Sequence, residues 1–363
     1  MIRHDIRKQC GWIPFSRFME FALYAPALGY YTAGARKFGE AGDFITAPEL
    51  SSLFGRTVAL QLIEVMQLST SHILELGAGS GKLAVDILTE LERRNILPEC
   101  YSILEVSADL RERQQVLLRE KLPHLISRVQ WLDSLPENFS GAVIGNEVLD
   151  ALPVHLVYWS QGQVFERGVA LEKDRFVWQN RVPENQALVD FAKGIDAPDN
   201  YLSEVSFAAN GLIASLCERM EVGAMIFIDY GFGAREYYHP QRARGTLMCH
   251  YRHHAHDDPF YLPGLQDITA HVDFTAIAES AIDHGGHFLG YTSQAHFLIN
   301  NGVTELLQAV SPEEVKAYAP LAAQLQKLTS PAEMGELFKV IALGKGLELP
   351  LAGFLRGDLS RTL

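Results

Sequence analysis

The amino-acid sequence predicts an α/β protein: a seven-stranded, doubly wound sheet with an N-terminal helical lid and a β-rich insertion after the fourth strand. Three observations predict it. From His72 onward, short apolar runs alternate with amphipathic helical runs, which implies right-handed crossovers and a mostly parallel sheet. A turn carrying Gly77, Gly79 and Gly81 joins the first of those strands to its helix. From about Pro153 to Asn180 the apolar period changes to the alternation of antiparallel strands.

Each element can be justified in chain order. FSRFMEFALY places Phe15, Phe18, Met19, Ala22 and Leu23 at helical spacing. GYYTAGARKFGEAGDF, rich in glycine and aromatics, reads as an ordered loop. Thr46-Ala-Pro-Glu49 has the capping-box form with proline in the first turn, which predicts a helix to about Met66. HILEL, YSILEVS, VQWLDSL and GAVIGNEVLD are four strands, the first three separated by the helices LAVDILTELERR and LRERQQVLLREKL. The inserted HLVYWSQGQVFERGVALEKDRFVWQN follows. A helix near Gly211 to Met220 leads into a fifth strand, AMIFIDYGF. DITAHVDFTAIAESAIDHGG predicts one capped helix, with Asp267 and Thr269 at its start and Gly285-Gly286 at its stop. FLGYTSQAHFL and LFKVIALGK close the set as strands six and seven. The chain thus divides into a lid segment (1–68), a core (69–150), the insertion (151–210) and the remainder of the core (211–363).

Composition narrows the function. The chain has 363 residues, 48% apolar and 21% charged, enough to bury a large core. A net charge of −13 argues against a nucleic-acid partner, which would need a basic face. It suits solubility or a cationic substrate. Cys10, Cys100, Cys217 and Cys249 form no CxxC pair, so neither a zinc site nor a disulfide framework is expected. No apolar run approaches the roughly 20 residues of a membrane span. The N-terminus, MIRHDIRKQC, lacks the apolar stretch of a signal peptide. These features together predict a cytoplasmic protein without a membrane partner, and they leave room for a homodimer.

The glycine loop carries the strongest chemistry. Glu75, Gly77, Ala78, Gly79 and Gly81 give E-x-G-x-G-x-G between a strand and a helix. Such glycines let backbone approach a ligand, and the helix N-terminus behind them favours an anionic group. A dinucleotide fingerprint would need G-x-G-x-x-G, and here the third glycine comes one place early. A phosphate-binding P-loop would need Ser or Thr after its lysine, and Leu83 follows Lys82. S-adenosylmethionine (SAM) fits best: its carboxylate at the helix N-terminus, its ammonium facing Glu75, and its ribose hydroxyls held by Glu105 beside Val106. Asp133, next to Ser134, is placed after the third strand to meet the adenine amino group.

Past the fourth strand, Asn146, Glu147 and Asp150 stand where catalytic groups collect in this architecture. The amide-methylating pattern, Asn or Asp followed by Pro-Pro-Tyr, is absent. Two carboxylates three residues apart can grip a planar guanidinium, although a helix cap plus a surface acid is the plainer reading. Asp229 and Tyr230 end the fifth strand and are pocket candidates, as is His271. The run His250 to Asp258 holds four histidines and two aspartates; a metal site would need a convergence that one loop rarely supplies, so no metal is expected. His253 or His256 is expected to order a substrate loop or touch the acceptor.

Six segments in order (GYY…GDFITAPELSSLFG, ELGAGSGKLAVDIL, NEVLDALPVH, IDYG, GLQDITAHVDF and MGELFKV) resemble the MidA-type family over nearly the whole chain. The resemblance implies a class I methyltransferase, Rossmann-like fold with SAM as cofactor. The family's mitochondrial member, a complex I assembly factor, methylates an arginine on a complex I subunit. It also implies that Gly42, Asp43, Thr46 and Glu49 belong to a segment closing over SAM, and that the acceptor is a protein arginine. Ala78, Ser80 and Lys82 stand where the family often has Pro, Arg and Thr. A non-catalytic scaffold and a small-molecule methyltransferase are the alternatives.

Overall fold

The computed structural model describes residues 1–33, 46–347 and 350–363. Its central sheet contains β1 (His72–Leu76), β2 (Cys100–Leu104), β3 (Val129–Leu132), β4 (Phe139–Asn146), β5 (Met220–Phe232), β6 (His287–Ser293) and β7 (Phe338–Lys345). They lie in the order β6-β7-β5-β4-β1-β2-β3. Neighbours from β3 through β5 run parallel, and β7 is antiparallel to both its neighbours. A two-residue strand, Val272–Asp273, adds parallel to the end of β5.

The central strands read as unbroken apolar runs because both faces are covered. Ala224 to Ile228 of β5 are all 0% exposed. Helices Ser52–Leu68 and Lys82–Arg93 pack on one face, and Phe207–Arg219 and Phe274–Asp283 on the other. Glu90 ties the first pair together: its carboxylate accepts from Arg56 at 2.9 Å, and also from Arg93 and Arg94.

A second sheet is built from the insertion and the N-terminus. Strands His155–Ser160, Gln163–Glu172, Arg175–Arg181 and Tyr201–Val205 pair antiparallel, and Trp12–Pro14 pairs with Gln163–Glu172. The helix Phe15–Tyr24 buries the five apolar residues expected of it. They share a core with Val154, Leu156 and Val169 of the insertion and with Cys249 and Ile268. The N-terminal segment is therefore packed against the insertion over one apolar cluster.

Several elements differ from the sequence reading. The helix expected from Thr46 to Met66 is broken: Ala47–Leu50 ends at Ser51, whose extended backbone and side chain cap a new helix at Ser52. Thr46 itself makes no side-chain cap. FLGYTSQAHFL is half strand, because Ser293 accepts from the His296 amide and starts the helix Gln294–Asn300. The helix expected from Asp267 starts only at Phe274, where Asp273 receives the Thr275 and Ala276 amides. Asp267–Thr269 is instead a strand paired with Met248–Tyr251, which also forms a hairpin with His254–His256. The stop at Gly285 is as read, with φ +76° and the Gly286 amide bonded to Ala281. Two further helices, Val303–Gln308 and Val315–Thr329, complete the β6-to-β7 connection.

Candidate functional site

The strand order reverses between β1 and β4, the switch point where ligands settle in doubly wound sheets. A cavity of about 520 Å³ opens there. Its floor is the glycine loop. Gly77 has φ +60°, a backbone conformation that favours glycine, and a Cβ there would stand a tight 3.2 Å from Val148 Cγ2. Gly81, at φ +85°, is the N-cap of Lys82–Arg93 and does not line the cavity itself; Ala78 and Gly79 do.

Glu75 lines the cavity, is 1% exposed and accepts from the Tyr101 hydroxyl at 2.7 Å; burial pushes its carboxyl up to about 7. Glu105, also buried, is fixed by the Ser107 amide at 3.0 Å and Gln114 Nε2 at 3.1 Å. Val106 lines the mouth and is exposed. Asp133 and Ser134 do not line the cavity. Both are exposed, and the Asp133 carboxylate, expected to meet the adenine amino group, pairs with Arg111 at 2.7 Å.

The lining contributed by the loop after β4 is acidic. Glu147 leaves β4 at φ +53°, a left-handed conformation a glutamate adopts only when its surroundings impose it. Its amide donates to Ile228 O at 2.8 Å and its Oε1 accepts from Asn146 Nδ2 at 3.0 Å. Burial, then the charge of Asp150, pushes Glu147 up to about 8. Asp150 is pushed up to about 6 by burial, opposed by a hydrogen bond from the Tyr230 hydroxyl. Neither forms an ion pair with a described residue. Asn146 Oδ1 is buried with no partner among the described residues.

Asp229, expected to line the pocket, lies behind this wall. Its Oδ2 accepts from the Leu149 amide at 2.9 Å and the Asp150 amide at 3.2 Å, so it fixes the acidic loop from below. Burial raises its carboxyl well above the ordinary range. Tyr230 and His271 do line the cavity, edge to face at 5.2 Å, and burial lowers His271 to about 4. Thr46 and Glu49 line it too, with Ser80 Oγ donating to Glu49. Gly42 and Asp43 lie outside the described residues. His253 sits exposed in a hairpin turn at φ +63°, and His256 packs on Tyr261 and accepts from the Asp258 amide. Neither lines the cavity; their neighbour His250 does. Among the described residues no group of three or more His, Cys, Asp or Glu could hold a metal, and no helix is long and apolar enough to cross a membrane.

Sequence reasoning missed several cavity residues. Tyr24 and Tyr31 reach in from the N-terminal segment: Tyr24 donates to Ala151 O at 2.9 Å and Tyr31 to Asp267 Oδ1 at 3.0 Å. Thr246, Met248 and Asp267 also line it. The GYY stretch carried an aromatic signal, but nothing in its local pattern says that Tyr31 crosses to a strand 236 residues away.

Residues 57–292 match the sequence profile of a family described as "Putative S-adenosyl-L-methionine-dependent methyltransferase". The chain is 30% identical to "Protein arginine methyltransferase NDUFAF7, mitochondrial" of Mus musculus, over 94% of this chain and 84% of that one. The Drosophila melanogaster homologue, also named mitochondrial, is 29% identical over 95% and 85%. A Burkholderia thailandensis protein solved with S-adenosyl-homocysteine (SAH) bound superposes with a TM-score of 0.97 at 49% identity, covering 100% of this chain and 95% of that one. The mitochondrial names overturn the cytoplasmic expectation drawn from the N-terminus.

Proposed function

The chain belongs to the MidA-type family of SAM-dependent methyltransferases, and from that premise we propose that its acceptor is an arginine side chain of a protein. The observation that carries the reading is the pair Glu147 and Asp150 beside the glycine-loop cavity, without a cationic partner among the described residues. A guanidinium is planar, permanently charged, and presents N–H donors that match two carboxylates. The arginine-methylating relatives support the same class of acceptor.

The cavity fits the cofactor. Gly77 to Gly81 leave backbone room, the N-terminus of Lys82–Arg93 offers free amides to a carboxylate, and Glu105 offers oxygens to vicinal hydroxyls. Glu75 and Asn146 complete the polar lining on that side. When bound, SAM supplies an electrophilic methyl group on a sulfonium sulfur, which departs as the neutral thioether of SAH. Glu147 and Asp150 accept the guanidinium N–H groups and turn one nitrogen toward that methyl, so catalysis is chiefly positioning and electrostatics. The new N–C bond forms as the S–C bond breaks, and the attacking nitrogen gives up one proton. Glu147, raised toward 8, is the better base of the two for that proton.

The test is product identity. The purified protein is incubated with methyl-labelled SAM and a proteome from cells lacking this chain, and the protein fraction is hydrolysed to amino acids. Label in methylarginine is expected. Label confined to other amino acids, or to small molecules, would reject the acceptor class.

A further inference from the structure

We infer that Tyr24 and Tyr31 are specificity-determining residues of the acceptor pocket, a ring wall that selects a planar cation over a compact one, and so arginine over lysine. The inference rests on the arginine reading above and adds what Glu147 and Asp150 do not supply by themselves. Carboxylates attract any cation, and an ammonium carries the same charge as a guanidinium. The two differ in shape and hydration. A guanidinium is flat, weakly hydrated and stacks on aromatic faces, whereas an ammonium is a compact, strongly hydrated point charge. Discrimination between them calls for ring surface held still beside the carboxylates.

The N-terminal segment supplies that surface. Tyr24 is the last residue of the helix Phe15–Tyr24, Tyr31 lies in the turns that follow, and both line the cavity. Their rings stack, with centroids 5.5 Å apart and planes 23° from parallel, and Tyr30 meets Tyr31 edge-on at 5.1 Å. The chain folds back to make the pair: the Tyr30 amide donates to Ala22 O at 2.8 Å and the Tyr31 amide to Leu23 O at 2.9 Å. Each ring is pinned at its far end as well. Tyr24 donates to Ala151 O, next to Asp150 in the loop after β4, and Tyr31 donates to Asp267 Oδ1 on the strand Asp267–Thr269. Neither ring can swing away without breaking a hydrogen bond. Both are half-buried, and the ring surface left over from the stack belongs to the cavity wall.

Tyr24 stands among the carboxylates of the site. Burial first, then the charges of Asp267, Asp150 and Glu105, holds its hydroxyl above the ordinary tyrosine range. It stays a neutral phenol, so the wall adds ring surface and no charge of its own. Glu147 and Asp150 then supply the attraction, and Tyr24 with Tyr31 supplies the choice. A lysine ammonium at the same loop keeps the attraction but gains less from the rings and gives up a tighter hydration shell.

The experiment uses the full chain saturated with SAH, titrated by NMR with ethylguanidinium as the planar probe and ethylammonium as the compact one. Wild type is expected to bind ethylguanidinium about tenfold more tightly, the size of one desolvated cation–ring contact. In Tyr24→Leu and Tyr31→Leu that preference should fall to about twofold or less, with ethylammonium and SAH affinities within about twofold of wild type. Tyr24→Phe and Tyr31→Phe keep the rings and should keep most of the preference. Equal binding of the two probes to wild type, or saturable binding of neither, overturns the inference. So does a wild-type preference in both leucine variants, or a loss in the phenylalanine variants as large as in the leucine ones. Loss of SAH binding in the leucine variants overturns it too, by assigning the pair to fold or cofactor. A planar-cation preference that depends on the pair, in a protein whose labelled product is not methylarginine, would uphold this inference while the arginine reading fails. Methylarginine as product with no such preference would do the reverse.

Discussion

Removing the Asp229 side chain probes how the acidic loop is held. The carboxylate lies near the C-terminal end of β5 and receives two amides from the β4 loop, Leu149 at 2.9 Å and Asp150 at 3.2 Å. In Asp229→Ala both N–H groups lose their acceptor inside the protein. A buried donor left without a partner costs about 1–3 kcal/mol, so the pair should cost about 2–6 kcal/mol. Asp229→Asn keeps a carbonyl oxygen for the two amides and removes a carboxyl whose ionised form burial disfavours. Its cost should stay below about 2 kcal/mol. Urea denaturation of the three proteins measures both differences. Turnover should follow the loop: the alanine variant loses it, while the asparagine variant keeps most of it. If Asp229→Ala unfolds within about 1 kcal/mol of wild type and methylates normally, the two amides do not depend on Asp229 and the positioning argument fails.

Two further outcomes follow from the cavity. Glu105→Ala should lose most SAM affinity in a calorimetric titration while the melting curve stays cooperative, because Glu105 lines the cavity and is oriented there by the Ser107 amide and Gln114; undiminished affinity would remove it from the cofactor site. Glu147 and Asp150 are pushed up to about 8 and about 6, so folding favours their protonated forms. Their contribution to stability is present below the ordinary carboxylate range and is lost as pH rises toward about 8. A cationic acceptor needs the ionised forms, so its KM should fall between about pH 6 and about pH 8, and a flat KM over that window would contradict the acidic grip.

How much of this was legible depended on whether the signal was local. The strand–glycine–helix unit at His72 to Arg93 is written in adjacent residues, and the structure follows it closely. The same holds for the buried runs of β4 and β5; Glu105, Glu147 and Asp150, at strand ends in the sequence, line the cavity. What failed was decided by partners far away in sequence. Asp267 looks like a helix cap because it precedes an apolar helical run, yet pairing with Met248–Tyr251 draws it into a strand, and Asp273 takes over the capping. Asp133 follows the third strand but does not line the cavity, and its pairing with Arg111 on the preceding helix is not written in its local pattern. The histidine run gives a hairpin whose alternation sends only His250 toward the cavity. Tyr24 and Tyr31 carry no periodic signature at all; their role comes from the packing of the N-terminal segment against the insertion.

The account rests on the acidic loop after β4 presenting an acceptor nitrogen to the methyl group. The most direct measurement is single-turnover methyl transfer by Glu147→Gln beside wild type, with SAM affinity determined on the same preparations. The account predicts that transfer falls by about two to four orders of magnitude, the usual worth of a positioned acid–base group, while SAM affinity is retained. Transfer at the wild-type rate by a variant that binds SAM normally would contradict it and take Glu147 out of the reaction.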